Sequence, residues 1–153
     1  EELMNEPVIR EMGLLTSKPQ IVLVNGSESD LDEKFINNVK SLGFQYVVAN
    51  LGGEAVLDML IRQAYATLDL ITFFTTGAKE TRGWTVHSGS GAPVAAGVIH
   101  TDFQNKFIRA EVINWEKLLE AGAWNDARNK GWIRTEGKTY IVEDGDVLVI
   151  HHS

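Results

Sequence analysis

At 153 residues, with 44% hydrophobic and 23% charged side chains, the chain is long enough for one domain or two small ones around a buried core. The formal charge of −7 lacks the basic footprint of a general nucleic-acid binder, and the absence of cysteine excludes a disulfide framework and any thiolate-bound metal. No apolar run reaches the roughly 18 residues of a bilayer span and the acidic first residues are unlike a signal peptide, so a cytoplasmic protein without membrane contact is expected.

Residues 1–15 read as the end of a helix, with Leu3, Val8, Met12 and Leu15 on one face and Pro19 barring continuation. Residues 20–24 form a nearly continuous apolar run rich in β-branched side chains, as in a strand buried on both faces of a parallel sheet. A polar loop runs from Asn25 to Asp30. Asp30 is expected to cap a helix over residues 31–42, with Phe35, Ile36, Val39 and Leu42 as its apolar stripe. Residues 44–49 read as a second buried strand, 50–53 as a turn, and 54–68 as a helix with Leu57, Leu60, Ile61 and Ala64 inward. This strand–helix–strand–helix order is a βαβα fragment of an α/β sheet.

The pattern changes near Asp69. Residues 70–75 and 81–87 predict two strands joined at Gly77-Ala78-Lys79-Glu80, and Pro93 opens a short helix. A strand at 107–112 and a helix at 115–121 follow, then a loop or broken helix over 122–130. Strands at 138–142 and 146–151 flank the turn signal Glu143-Asp144-Gly145. Two strands, a helix and further strands suit a ubiquitin-like β-grasp. The expected fold is therefore α+β, with a partial α/β domain over residues 1–68 and a β-grasp over 69–153.

Chemistry concentrates in Asn25-Gly26-Ser27-Glu28, directly after the first buried strand. Ligands of open α/β sheets bind at the carboxyl ends of strands. An Asn amide there offers one donor and one acceptor side by side. A polar turn opening a helix would serve the same string without any ligand. No Gly-x-x-x-x-Gly-Lys-Ser/Thr loop is present; Gly89-Ser90-Gly91 has no Lys after it and precedes Pro93. His100-Thr101-Asp102 has no nucleophile or metal partner in view. His100 is expected to end the short helix, with Thr101 or Asp102 capping a turn. His151-His152 fit a terminal strand, so neither a catalytic residue nor a metal site is expected.

The block Gly89-Ser90-Gly91-Ala92-Pro93-Val94-Ala95-Ala96-Gly97-Val98-Ile99-His100-Thr101-Asp102-Phe103, continued by Phe107-Ile108-Arg109-Ala110-Glu111-Val112, closely resembles the C-terminal TGS domain of the Obg-like ATPase (YchF) family. The Asn-x-Ser-Glu form at residues 25–28 is similar to that family's replacement for the Asn-Lys-x-Asp of GTPases, and the resemblance covers about residues 14–153. It implies a remnant of a P-loop nucleotide domain over residues 1–68 followed by a TGS domain of β-grasp fold. It also implies ATP or GTP with magnesium in a complete protein whose phosphate-binding loop lies upstream. The chain alone is then expected to be inactive and to bind nucleotide weakly, with Asn25, Ser27 and Glu28 at the base.

TGS modules imply ribosome or RNA contact, for which Lys79, Arg82, Lys106, Arg109, Arg128, Lys130 and Arg134 are candidate phosphate partners, and Trp84, Phe103 and Trp132 candidate stacking rings. Cations on strands are also ordinary solvated positions, and Trp84 suits a core. The family's basic turn appears as Ser88-Gly89-Ser90-Gly91, and its aromatic final strand as residues 147–151, so this sequence is a divergent one. The alternative reading is a stand-alone, non-enzymatic TGS module that binds RNA, ribosome or a protein. A truncated sheet exposes an edge beside residues 20–24 or 44–49, and for a fragment stable as it stands this predicts a homo-oligomer, a dimer, or else a rearranged sheet.

Overall fold

The computed structural model describes residues 7–52, 56–77 and 80–153. The chain divides into two compact units, Glu1–Leu68 and Asp69–Ser153, of mixed α+β structure.

In the first unit, α1 (Pro7–Glu11) and a single 3-10 turn at Leu15–Ser17 precede the strands, with Gly13 at φ +62 between them. Strand β1 (Ile21–Asn25) pairs in parallel with β2 (Gln45–Ala49), and α2 (Glu33–Ser41) is the crossover. Helix α3 (Val56–Thr67) follows. Parallel neighbours need such a crossover. Val39, Val47 and Ala49 are buried between the layers.

Several expectations fail here, beginning with the helix face read over residues 1–15: Val8, Met12 and Leu15 are exposed, and Leu3 lies outside the described residues. Asp32, not Asp30, caps α2, its carboxylate accepting the Phe35 N–H at 2.6 Å. Asp30 is occupied by a tighter turn of its own, because Ser27 lies three residues before it. The apolar stripes are also narrower than read. Leu42 is exposed, and so are Leu57 (65%) and Ile61, since a two-stranded sheet has too little width to cover them. For the same reason β1 is half-buried rather than enclosed on both faces.

The second unit is a five-stranded sheet in the order β4-β3-β7-β5-β6, built from β3 (Leu70–Thr76), β4 (Thr81–His87), β5 (Phe107–Asn114), β6 (Arg134–Glu136) and β7 (Asp146–His152). The central β7 runs parallel to β3 and antiparallel to β5. Helices α4 (Ala92–Ile99) and α5 (Thr101–Asn105) cover one face, and α6 (Trp115–Ala121) and α7 (Trp124–Asn129) the other. Strand alternation makes both layers from one sequence. Leu148 and Val112 meet Phe73, Val86, Ala92, Ala95 and Ala96 under α4, while their neighbours Val147 and Ile113 meet Ala127 on the α7 side. The continuous apolar run of β7 follows from burial on both faces. The three fully buried alanines let α4 lie close on the sheet, where a larger side chain costs about 1–3 kcal/mol.

Residues 138–142 are not a strand. Arg134–Glu136 take the place beside β5, and the expected segment makes one isolated bridge, Ile141 to Gly91. Around it, Ala92 N–H donates to the Tyr140 carbonyl (2.8 Å) and Val142 N–H to that of Ser90 (3.0 Å). Residues 124–129, read as a loop or broken helix, form α7 with Ala127 in the core. His100 both ends α4 and caps α5, its Nδ1 accepting the Asp102 N–H at 3.2 Å. Gly145 (φ +83) is required twice over, since an added Cβ would lie 2.6 Å from the Trp115 ring.

Candidate functional site

Asn25 is the last residue of β1, paired with Ala49, and the ladder runs one step further through Gly26 N–H to the Ala49 carbonyl (3.2 Å). Beyond it the chain leaves the sheet. The Asn25 side chain is not free to swing: its Oδ1 accepts the Leu51 N–H at 3.2 Å. The loop after β1 is thereby tied to the loop after β2, with one amide left to offer Nδ2 and a second lone pair outward.

Ser27 and Asp30 close the turn between them. The Asp30 carboxylate accepts the Ser27 N–H at 2.7 Å and the Ser27 hydroxyl at 2.8 Å, with Ser29 Oγ 2.7 Å from Ser27 Oγ. These bonds, the backbone one foremost, hold the Asp30 carboxyl below its usual range. The packing also fixes Gly26, since a Cβ there would stand 2.8 Å from Asp30 Oδ2.

The structure places Asn25 and Glu28 in different hollows. Asn25 lines one of about 510 Å³ with Asp30, Asp32 and Phe35. Glu28 lines another of about 480 Å³ with Tyr46, Met59 and Arg62. Asn25 is tied to Leu51, Ser27 to Asp30 and Ser29, and Glu28 lines a hollow with residues of β2 and α3. Two contacts were not read from the sequence, the bond of Asp30 back to Ser27 and that of the Leu51 amide to Asn25. Asp30 was detectable, because Ser-x-x-Asp is a capping-box spacing. The Leu51 amide was not, since a backbone N–H leaves no mark in the residue type.

In the second unit the candidate cations are mostly engaged. Arg128 donates to Glu111 at 2.6 Å, and Trp124 Nε1 reaches the same oxygen at 3.3 Å. Arg134 donates to the Tyr140 hydroxyl at 2.8 Å and lies near Glu136 and Asp146. Arg82 stacks over Trp84 (4.3 Å) and Lys130 over Trp132 (4.5 Å). Lys106 and Arg109 are exposed, and Lys79 lies outside the described residues. Among the rings, Trp84 donates to Thr75 (2.9 Å) at the edge of the core, Phe103 stacks on His152 (4.3 Å), and Trp132 packs beside α7. Among the described residues no group of three His, Asp or Glu side chains is disposed to hold a metal, and no helix is long and apolar enough to cross a membrane.

Residues 70–153 match the family model YchF-GTPase_C, described as a protein of unknown function (DUF933). The chain belongs to the YchF (Obg-like ATPase) family. It is 36% identical to the ribosome-binding ATPase YchF of Mycoplasma genitalium, the match covering 91% of this chain and 47% of that one. It is 41% identical to the protein of the same name from Haemophilus influenzae (94% and 39%), and 36% identical to human Obg-like ATPase 1 (92% and 43%). A solved structure of the Schizosaccharomyces pombe YchF GTPase superposes with a TM-score of 0.67 at 30% identity, over 94% of this chain and 46% of that one. The chain thus spans less than half the length of these YchF relatives, and it matches their C-terminal part.

Proposed function

We propose that the first unit carries the base-recognition loop of a nucleotide-hydrolysing YchF protein, and that the second is its TGS domain of β-grasp type, with ribosome or RNA as partner. The observation that carries the reading is the Asn25 amide, held at the carboxyl end of β1 by the Leu51 N–H and lining a hollow of about 510 Å³. The β4-β3-β7-β5-β6 order, with α4 on one face, supports the β-grasp assignment.

The residues of this chain fit a base and not its phosphates. Asp30 and Asp32 share the hollow with Asn25 and repel a triphosphate, and no Gly-x-x-x-x-Gly-Lys-Ser/Thr string is present to cradle one. Phosphoryl transfer, ATP or GTP with magnesium, belongs on this reading to a complete family protein, and the chain alone is inactive. The names of the relatives, ribosome-binding ATPase among them, support the partner class. A second reading, an autonomous binding module, is favoured by one observation: the second unit has its own core on both faces of its sheet.

The test is a titration of the chain with adenosine and with guanosine, followed by amide NMR. Adenosine is expected to shift residues 25–30 and Leu51 with a Kd on the order of millimolar, and Asn25→Ala to abolish the shifts. Silence at these amides at saturating nucleoside overturns the base reading.

A further inference from the structure

The strongest unassigned feature is a groove between the α6–α7 pair and the β3–β4 hairpin, wholly within the second unit. It encloses about 440 Å³, with Phe74 and Val147 from the sheet and Trp115, Leu118, Leu119 and Trp124 from the helices among its lining residues. Leu119 is 71% exposed and Trp115 43%. Such a contiguous apolar patch on a well-packed unit marks an interaction site. Both indoles are held in place beforehand. Trp115 lies against Gly145, and Trp124 N–H is bonded to Glu111. Rigid aromatic anchors lose little freedom on binding, which is where interfaces concentrate their energy.

Charge selects the occupant. Over residues 115–126 the helix pair carries Glu116, Glu120 and Asp126, all exposed, against Lys117. The next base along, Arg128, is neutralised by Glu111. A phosphate backbone laid here meets carboxylates. A cationic amphipathic segment finds both halves of its surface matched, apolar side chains to the groove and Lys or Arg to the acidic flank.

We propose that this groove docks a basic amphipathic segment of a protein partner, rather than RNA. The proposal rests on the second unit alone, so it survives or falls apart from the base loop.

The test uses the full chain and a fluorescein-labelled amphipathic peptide of leucine and lysine, about four helical turns long. Fluorescence anisotropy is expected to give a Kd on the order of 10 μM that weakens with salt. Leu119→Ser, at an exposed position, should weaken binding about tenfold. The pair Glu116→Lys and Glu120→Lys should do at least as much. Leu57→Ser, in the first unit, should leave binding unchanged, as should replacing the fluorophore. Unchanged urea midpoints of the variants show that the fold is intact. Absence of binding, or equal binding by the groove variants, overturns the proposal. So does binding of an oligouridylate that Leu119→Ser weakens, because that result assigns the groove to nucleic acid.

Discussion

Replacing Asp146 tests the account of how the second unit is held closed. Asp146 opens the central strand β7 and is 1% exposed, the buried charge among the described residues. Its Oδ2 accepts the Tyr140 hydroxyl at 2.7 Å and the Glu143 N–H at 3.0 Å. Arg134 stands 3.8 Å from Oδ1 and donates to the same hydroxyl. Burial first, then the Asp146 carboxylate, pushes the Tyr140 phenol well above its ordinary value, so it remains a donor throughout the working range. Asp146→Ala strips both donors of their acceptor. Two bonds to a charged group at about 1.5–3 kcal/mol each, lost from a buried site, give an expected destabilisation of about 3–5 kcal/mol. Tyr140→Phe leaves the carboxylate its amide donor and should cost about 1–2 kcal/mol, with the double variant less than additive by about 1 kcal/mol. Urea unfolding followed by tryptophan fluorescence is the assay, because all four tryptophans, Trp84, Trp115, Trp124 and Trp132, belong to the second unit. The signal is then free of the first unit's own transition. A loss below about 1 kcal/mol for Asp146→Ala, or strict additivity in the cycle, refutes the reasoning.

Glu111 supplies a pH prediction. Partial burial pushes its carboxyl up, but the Arg128 hydrogen bond and charge, the Trp124 N–H and His151 together outweigh it and hold the group below its ordinary value of 4.5. A depressed folded pKa means that its stabilisation is present above the unfolded value and disappears as pH falls through the folded one. The stability gap between the native chain and Glu111→Gln should therefore be largest near neutrality and shrink below about pH 4.5, to be read as urea midpoints; a gap independent of pH contradicts this. Because Arg128 is half-exposed, Arg128→Ala should cost only about 1 kcal/mol. Among the described residues the two-stranded β1–β2 sheet leaves strand edges without a strand partner, so light scattering is expected to give about twice the 17.0 kDa chain mass. A mass of 17.0 kDa at high concentration removes that expectation.

Legibility in the sequence followed periodicity and failed where side chains hold loops. The strand read at 107–112 and the helix at 115–121 were legible in residue type; the strand's last two residues were not, and they end at Asn114, which caps α6 by accepting the Glu116 N–H. Residues 138–142 looked like a strand, having the right residue types, yet Asp146 and Asp144 hold the adjoining turn. Asp144 accepts the Thr72 N–H across the sheet at 2.8 Å, a partner 72 residues away that no local pattern encodes. In the first unit, Leu57 and Ile61 read as inward because the helical period is real. What period cannot report is how much sheet there is to bury them. At the base loop the Asn-Gly-Ser-Glu string was legible, and the link from Asn25 to Leu51 was not, because it joins two loops through a main-chain donor.

The geometry of that loop also gives Gly26 a reason that composition does not. In the Asn-Lys-x-Asp form of a GTPase the second position carries a side chain. Here the Asp30 carboxylate is drawn back over the turn by two bonds from Ser27, and it occupies the space a Cβ at residue 26 would need. The carboxylate of Asp30, two residues beyond the four-residue motif, is thereby engaged within its own turn. Glu28, at the position where the GTPase form carries Asp, lines the hollow with Tyr46 and Arg62. What remains at the end of β1 is the Asn25 amide, a donor and an acceptor side by side. On the proposed reading, base contact rests on that amide, while the Asp30 carboxylate is spent in shaping the turn beside it.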